Sequence, residues 1–280
     1  EWLFYPAGHD PQLVLDRHWL LMRYTLINQE HRLIPLAVPG ADADSYEASP
    51  FEDWIDGALT LDGERYAWAS HEKMTAPFAV KQRLRGGSDP VYFEETITGA
   101  DLMTADIHDS NLLIEVIFRA EPTRGEAVLV EKRSGAGYSL TLDSGGRPVF
   151  SVAGEERAAR VTGDVSLADG EWHHLIAELD RKAKTLTLYL DGRKHAEAAG
   201  LGAQVSLNNP GDLYMGGTPD GRGLKGAIDF VRMAQGTLAD SKTTIEELYD
   251  WQFAGPQYRD FRGRPVTGKA RDAGALELSP

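Results

Sequence analysis

The stretch from Asp169 to Gly192, DGEWHHLIAELDRKAKTLTLYLDG, constrains the fold more than any other part of this chain. Its later half, Thr185–Leu190, alternates Leu186, Leu188 and Leu190 with Thr185, Thr187 and Tyr189. A two-residue period of this kind places one set on a buried face of a strand and the other on the opposite face. Glu171–Asp180 reads as the partner strand, with the charged run Arg181–Lys184 as the turn between them. Asp191-Gly192 ends the second strand in a turn, because both residue types reach positive φ at little cost. The unit is a β-hairpin.

Short runs of the same character recur along the chain. Gly57–Leu61, Leu112–Phe118, Ala127–Lys132, Tyr138–Leu142, Pro148–Val152, Asp212–Met215 and Gly226–Met233 are expected strands. Leu112, Ile114, Val116 and Phe118 share one face, as do Tyr138, Leu140 and Leu142, and Gly135, Gly137, Gly145 and Gly146 punctuate the turns. Many short strands at such spacing predict an all-β sandwich or barrel.

Three motifs narrow this further. Asp169-Gly170-Glu171-Trp172-His173-His174 leads to a strand ending Leu188-Tyr189-Leu190-Asp191-Gly192. Gly226-Ala227-Ile228-Asp229-Phe230-Val231-Arg232 comes later, and Ala58-Leu59-Thr60-Leu61-Asp62-Gly63 opens the series. In this order the motifs resemble those of bacterial laminin-G-like, concanavalin A-like jelly-roll domains, over roughly Gly57 to Phe253. The resemblance implies two antiparallel sheets packed face to face, and a helix after the last strand. Thr243–Phe253 fits that helix, with Thr243 or Thr244 as cap and Glu246 and Glu247 in the first turn.

The chain thereby divides into an N-terminal extension and linker (1–50), a sandwich (51–253) and a tail (254–280). In the extension, Asp10-Pro11 is a helix-start signal, and Leu13, Leu20, Leu21, Tyr24 and Ile27 approximate a helical stripe. A strand through Trp19–Ile27 competes with that irregular or partly helical reading. Pro39–Pro50 is linker-like in composition. Residues 71–100 read as an insertion with a hairpin through Val91–Ile97. The tail resembles the closing motif of secreted β-helix proteins of the polysaccharide-lyase kind, through Asp260, Gly263, Pro265, Asp272, Gly274, Ala275 and Glu277. That resemblance implies the carboxyl end of a longer exported protein.

Composition limits the chemistry. The 280 residues contain no cysteine, which excludes disulfides, thiolate metal sites, covalent haem attachment and cysteine nucleophiles. A formal net charge of −14 opposes binding to nucleic acid or an anionic membrane, and no apolar run is long enough for a membrane span. Lys81, Arg83 and Arg85 form a local basic patch, which reads as a solvated loop. The chain begins at Glu1 rather than Met, as expected of a processed or excised piece.

Candidate sites follow from residue types. His173 and His174 are adjacent on a strand, so they point to opposite faces and cannot chelate one ion together. Family resemblance implies a structural calcium ion held by Asp62, Gly63 and Asp229, since calcium takes carboxylate and carbonyl oxygens. The competing reading has both aspartates accepting backbone hydrogen bonds in turns. The alternating acidic residues of concanavalin A-like glucanases are missing: Glu94 and Glu95 are adjacent, and Glu115 stands among apolar neighbours. No phosphate-cradling glycine loop occurs, so no nucleotide cofactor is expected. Exposed aromatics that stack on sugars remain, with Tyr66, Trp68, Tyr92, Phe93 and Tyr214 as candidates and Trp172 assigned to the core.

The expected role is a non-catalytic carbohydrate-binding or interaction module of an exported bacterial protein, with a glycan or a larger protein as partner. An assembly subunit is the first alternative. The second is part of a polysaccharide-degrading enzyme, marked by a cleft that gathers His71, Lys73, Tyr92 or Glu94.

Overall fold

The computed structural model describes residues 19–24, 31–41, 43–48, 50, 56–72, 78–84, 91–97 and 105–241. Nearly all of its regular structure is β, in two large sheets and one small one. The nine-stranded sheet takes Trp19–Tyr24 (β1), His31–Pro35 (β2), Tyr46–Ala48 (β3) and Asp56–Asp62 (β4) from the start of the chain. Leu112–Ala120 (β8), Trp172–Asp180 (β13), Thr185–Leu190 (β14), Arg193–Ala199 (β15) and Lys225–Gln235 (β17) complete it. The six-stranded sheet contains Ala67–Ala69 (β5), Ala127–Ser134 (β9), Ala136–Leu142 (β10), Pro148–Ala153 (β11), Ala158–Thr162 (β12) and Leu213–Met215 (β16). Phe78–Leu84 (β6) and Val91–Ile97 (β7) pair with each other as a separate two-stranded sheet.

Strand order is β15-β14-β13-β8-β17-β1-β2 in the larger sheet, with β4 also on β17 and β3 on β4. In the smaller sheet it is β12-β11-β10-β9-β16-β5. This is the expected two-sheet jelly-roll sandwich. Leu112, Ile114, Val116 and Phe118 of β8 point between the sheets, facing Tyr138, Leu140, Leu142 and Phe150 from the other side. Each is essentially solvent-free, and burial of a side chain of this size stabilises by about 1.5–3 kcal/mol.

The hairpin β13–β14 forms as its sequence requires. Asp180 Oδ1 accepts hydrogen bonds from the amides of Lys182 and Ala183, both at 2.8 Å, which folds the charged turn. Asp191 (φ 48°) and Gly192 (φ 78°) supply the two left-handed residues that a tight hairpin between β14 and β15 needs. Gly226 is fixed for a different reason. At φ +144° it lies so close to β8 that a Cβ would stand 2.0 Å from the Arg119 carbonyl oxygen.

Several expectations need correction. Trp19–Tyr24 is a strand rather than part of a helical stripe, and it pairs in parallel with β17, Leu21 opposite Arg232. A sheet expected to be wholly antiparallel is therefore mixed. Parallel neighbours need only a long connection, and β1 and β17 stand at opposite ends of the described chain. The linker-like segment carries β3, paired with β4. Lys81 and Arg83 lie on β6, opposite Glu94 and Tyr92, and not in a loop. The described chain ends in one helical turn, Leu238–Ser241 (α1). The helix expected over Thr243–Phe253, the tail 254–280 and Arg85 fall outside the described residues.

Candidate functional site

Strand register builds one continuous row across the outer face of the six-stranded sheet. Trp68 lies opposite Tyr214, Tyr214 opposite Glu131, Glu131 opposite Ser139, Ser139 opposite Ser151, and Ser151 opposite Arg160. Directly opposite residues in a sheet share a face. The alternate positions Leu213, Tyr138 and Val152 belong to the core, so this row points away from it. Five inter-strand steps of about 4.8 Å make the row roughly 24 Å long.

Aromatic rings gather at one end. Tyr66 meets Tyr214 edge to face, with ring centroids 5.8 Å apart, and Trp68 is the next residue in the row. All three are half-buried, which leaves ring surface open. Burial, then the charge of Asp212, raises the Tyr214 phenol above its ordinary pKa, with Tyr66 and Asp220 adding to the effect. The phenol therefore stays neutral and able to donate. In the middle of the face the side chains are small and polar. Ser139 is 6% exposed and Thr141 2%, and among the described residues neither hydroxyl has a hydrogen-bond partner.

A charged network borders the rings. Arg222 donates to Glu131 through both terminal nitrogens (2.8 and 2.7 Å), to Glu126 (3.1 Å), and from Nε to Asp220 (3.0 Å). Thr218 also donates to Asp220. The Val128 amide donates to the Arg222 carbonyl at 3.1 Å, which lays this loop against β9.

The outer face of the nine-stranded sheet is covered as well. Leu113, Glu115, Ile117, Arg232 and Ala234 are solvent-free there, and Leu238 of α1 packs against Leu113, Ile176 and Ala234. Glu115 is not the isolated acid that its apolar neighbours suggest. It accepts from Arg232 Nε at 2.7 Å and from His174 Nε2 at 2.6 Å. Burial pushes the Glu115 carboxyl up, but the Arg232 charge and the His174 hydrogen bond outweigh it and hold it below the ordinary range. The last histidine of one motif and the last arginine of another thus meet on a third strand. The arrangement holds three strands in register.

His173 takes the opposite face, as alternation requires. Its ring lies between Asp169 (3.1 Å) and Asp191 (3.3 Å). Burial lowers its pKa, yet the two carboxylates prevail and raise it above 6.5. Trp172, assigned to the core from sequence, is only half-buried and lies beneath the Arg119 guanidinium, 5.9 Å from the ring centroid. It starts the strand at the sheet end, where the row alternation leaves it facing outward. Arg119 in turn pairs with Glu47 at 2.6 Å.

Strand register does not set Asp62 and Gly63 beside Asp229. Asp62 lies opposite Lys225, and Asp229 is four strand positions farther along β17, about 13 Å away. Asp62 Oδ1 instead accepts from the amides of Glu64 (2.9 Å) and Arg65 (2.7 Å), with Gly63 at φ +95° in the turn. Those hydrogen bonds lower its pKa.

His71 approaches Asp106 (3.4 Å), which also pairs with the fully buried Lys132. Lys132 donates to the Asn209 carbonyl at 2.6 Å, and burial lowers its pKa despite Asp106. The lysine sits inside the sandwich and braces a loop. Lys73 falls outside the described residues, and Tyr92, Phe93 and Glu94 are placed only by backbone register on β7.

Comparison with known proteins agrees with this architecture. Residues 105–242 match the model of the concanavalin A-like lectin/glucanases superfamily, laminin-G branch. The human adhesion G protein-coupled receptor D2 is 36% identical over 119 residues, 40% of this chain. This chain spans only 11% of that receptor's length. Among solved structures, the botulinum neurotoxin serotype D binding domain is similar with a TM-score of 0.50 and 11% identity, over 90% of this chain and 55% of that one. A carbohydrate-binding module of the Ruminococcus gnavus IT-sialidase, bound to α2,3-sialyllactose, gives a TM-score of 0.40 and 12% identity over 49% of this chain and 82% of its own. Both structural likenesses concern the fold alone. Over residues 105–242 this chain is a laminin-G-like domain of the concanavalin A-like lectin/glucanases superfamily.

Proposed function

We propose that this chain is a non-catalytic carbohydrate-binding module of an exported protein, with its ligand lying across the outer face of the six-stranded sheet. One observation carries the reading: register places Trp68 and Tyr214 side by side, brings Tyr66 to the same rings, and continues them through Glu131 and Ser139 to the half-exposed Ser151. Sugars present apolar faces to aromatic rings and hydroxyls to small polar groups, and a site needs both. Superfamily membership supports a lectin-type role at the level of the fold, and the site supplies the particular claim.

The test is a glycan array, followed by calorimetry on the best ligand with the single variants Trp68→Ala and Tyr214→Ala. Loss of one stacking platform is expected to weaken binding by about 10- to 100-fold, the equivalent of ~1.4–2.8 kcal/mol. Circular dichroism and Tm should show the sandwich intact. A glycan whose affinity is unchanged in both variants would place the site elsewhere. Capture of a protein and no glycan would favour the assembly-subunit alternative.

A further inference from the structure

Tyr66 enters the aromatic cluster from the turn 62–65, and the loop 216–224 is pressed against that turn. The loop begins just after Tyr214 and β16. The Gly216 amide donates to the Leu129 carbonyl at 3.0 Å, and the Leu224 amide donates to the Gly216 carbonyl at 2.8 Å. A Cβ on Gly216 would stand 2.5 Å from Leu61 Cδ1, and one on Gly217 would stand 3.4 Å from the Tyr66 Cβ. One on Gly223 would collide with the Gly63 carbonyl. Glycine permits this close approach, so a shift of the loop is passed to the Tyr66 ring.

One side chain ties the loop down. Arg222 Nη1 and Nη2 donate to the two oxygens of Glu131 at 2.8 and 2.7 Å, and Nη1 also donates to Glu126 at 3.1 Å. Its Nε donates to Asp220 at 3.0 Å, within the loop itself. A planar guanidinium is pre-organised for such forked contacts, which fix direction as well as distance. Glu131 lies on β9 directly opposite Tyr214, so the contact that fastens the loop also borders the rings.

Resting on the glycan-binding reading, we infer that Arg222 is a positioning residue of the aromatic site: by fastening loop 216–224 to β9 it holds Tyr66 edge to face against Tyr214, ready for the sugar. The guanidinium is occupied by three carboxylates, and its part is to hold the loop rather than to touch the ligand. Rings held in place before binding spare the ligand the cost of ordering them.

The test is Arg222→Met, which keeps much of the side-chain length and removes the fork. Affinity for the best glycan of the array is expected to fall about tenfold by calorimetry, with every ring still present. In the ligand-free variant the nuclear Overhauser contact between the Tyr66 and Tyr214 rings should be lost. Arg222→Lys keeps the charge without the fork and should restore part of both signals. A lower Tm with the ring contact and the affinity of wild type would mark a merely structural arginine and overturn the inference. Should Arg222→Met fail to fold, Glu126→Gln and Asp220→Asn each remove one carboxylate from the latch. A weakening of about two- to fivefold is then expected in each, and wild-type affinity in both overturns the inference. Binding that is weakened by Tyr214→Ala but unchanged by Arg222→Met overturns the positioning role and leaves the glycan-binding reading standing. Binding unchanged in Trp68→Ala, Tyr214→Ala and Arg222→Met overturns both.

Discussion

Replacing Arg232 with methionine tests how the larger sheet is held together. Arg232 and Glu115 are both solvent-free, and His174 is the other donor to the same carboxylate. Methionine keeps most of the side-chain volume but leaves Glu115 charged and buried with a single neutral or shared donor. Removing one partner of a buried ion pair costs about 3–5 kcal/mol, because the stranded charge cannot regain its hydration. For a chain of this size, a loss of that magnitude lowers Tm by roughly 6–20 °C. The double variant Glu115→Leu/Arg232→Met removes the charge as well. His174 Nε2 then lacks its acceptor, and that costs about 1–3 kcal/mol. Urea melts of wild type, both single variants and the double variant give the coupling directly. The pH dependence is a second readout. Glu115 is held below its ordinary pKa in the wild type, so its contribution is present above that ordinary value and fades as pH falls through the lowered one. In Arg232→Met the carboxyl has lost its cation and titrates higher, so the variant's deficit should narrow toward acid pH. A loss below about 1 kcal/mol, or a double variant worse than the sum of the singles, would refute the buried network.

Four further outcomes are expected. The raised pKa of His173 stabilises the fold fully below 6.5, and this contribution fades as pH rises through the folded-state value. Asp191, lowered by its hydrogen bonds despite burial, contributes above 3.8 and weakens only in acid. Urea midpoints of wild type should therefore decline as pH rises above 6.5, while His173→Gln should give a flatter profile. Gly226→Ala forces a Cβ against the Arg119 carbonyl at a φ that alanine rarely adopts, and should cost at least about 2 kcal/mol in a urea melt. Asp62→Ala removes the acceptor of two turn amides, which is worth about 0.5–1.5 kcal/mol. Chelator should leave the Tm of wild type unchanged, and a calcium-dependent rise would restore the cation site.

The core strands were legible because leucine alternates with polar or half-exposed residues in Thr185–Leu190, and because Leu112–Phe118 is a short, almost unbroken apolar run. Edge strands were not. Arg193–Ala199 contains four alanines or charged residues in a row of mixed exposure, and Ala158–Thr162 is mostly exposed. Sheet edges favour charge over apolar alternation, so their signal is weak in sequence. Of the site, the aromatic candidates Tyr66, Trp68 and Tyr214 were visible as residue types, but their convergence depends on β5 and β16 meeting, a pairing between strands far apart in the chain. Glu131, Ser139, Ser151 and Arg222 carried no motif and became recognisable only through register. Glu115 looked isolated for the same reason: Arg232 and His174 reach it from other strands. The motif residues His174 and Arg232 were the available clue, since a polar residue fixed within an apolar strand needs a buried partner.

Whether the ligand lies on the six-stranded face is read out by a titration followed by amide and indole nuclear magnetic resonance. With the best glycan from the array, shifts are expected at the Trp68 indole and at the amides of Tyr66, Glu131, Ser139 and Tyr214, with Ile176 and Leu113 on the covered face unmoved. Shifts confined to the Asp62–Arg65 turn or to the nine-stranded sheet would contradict it.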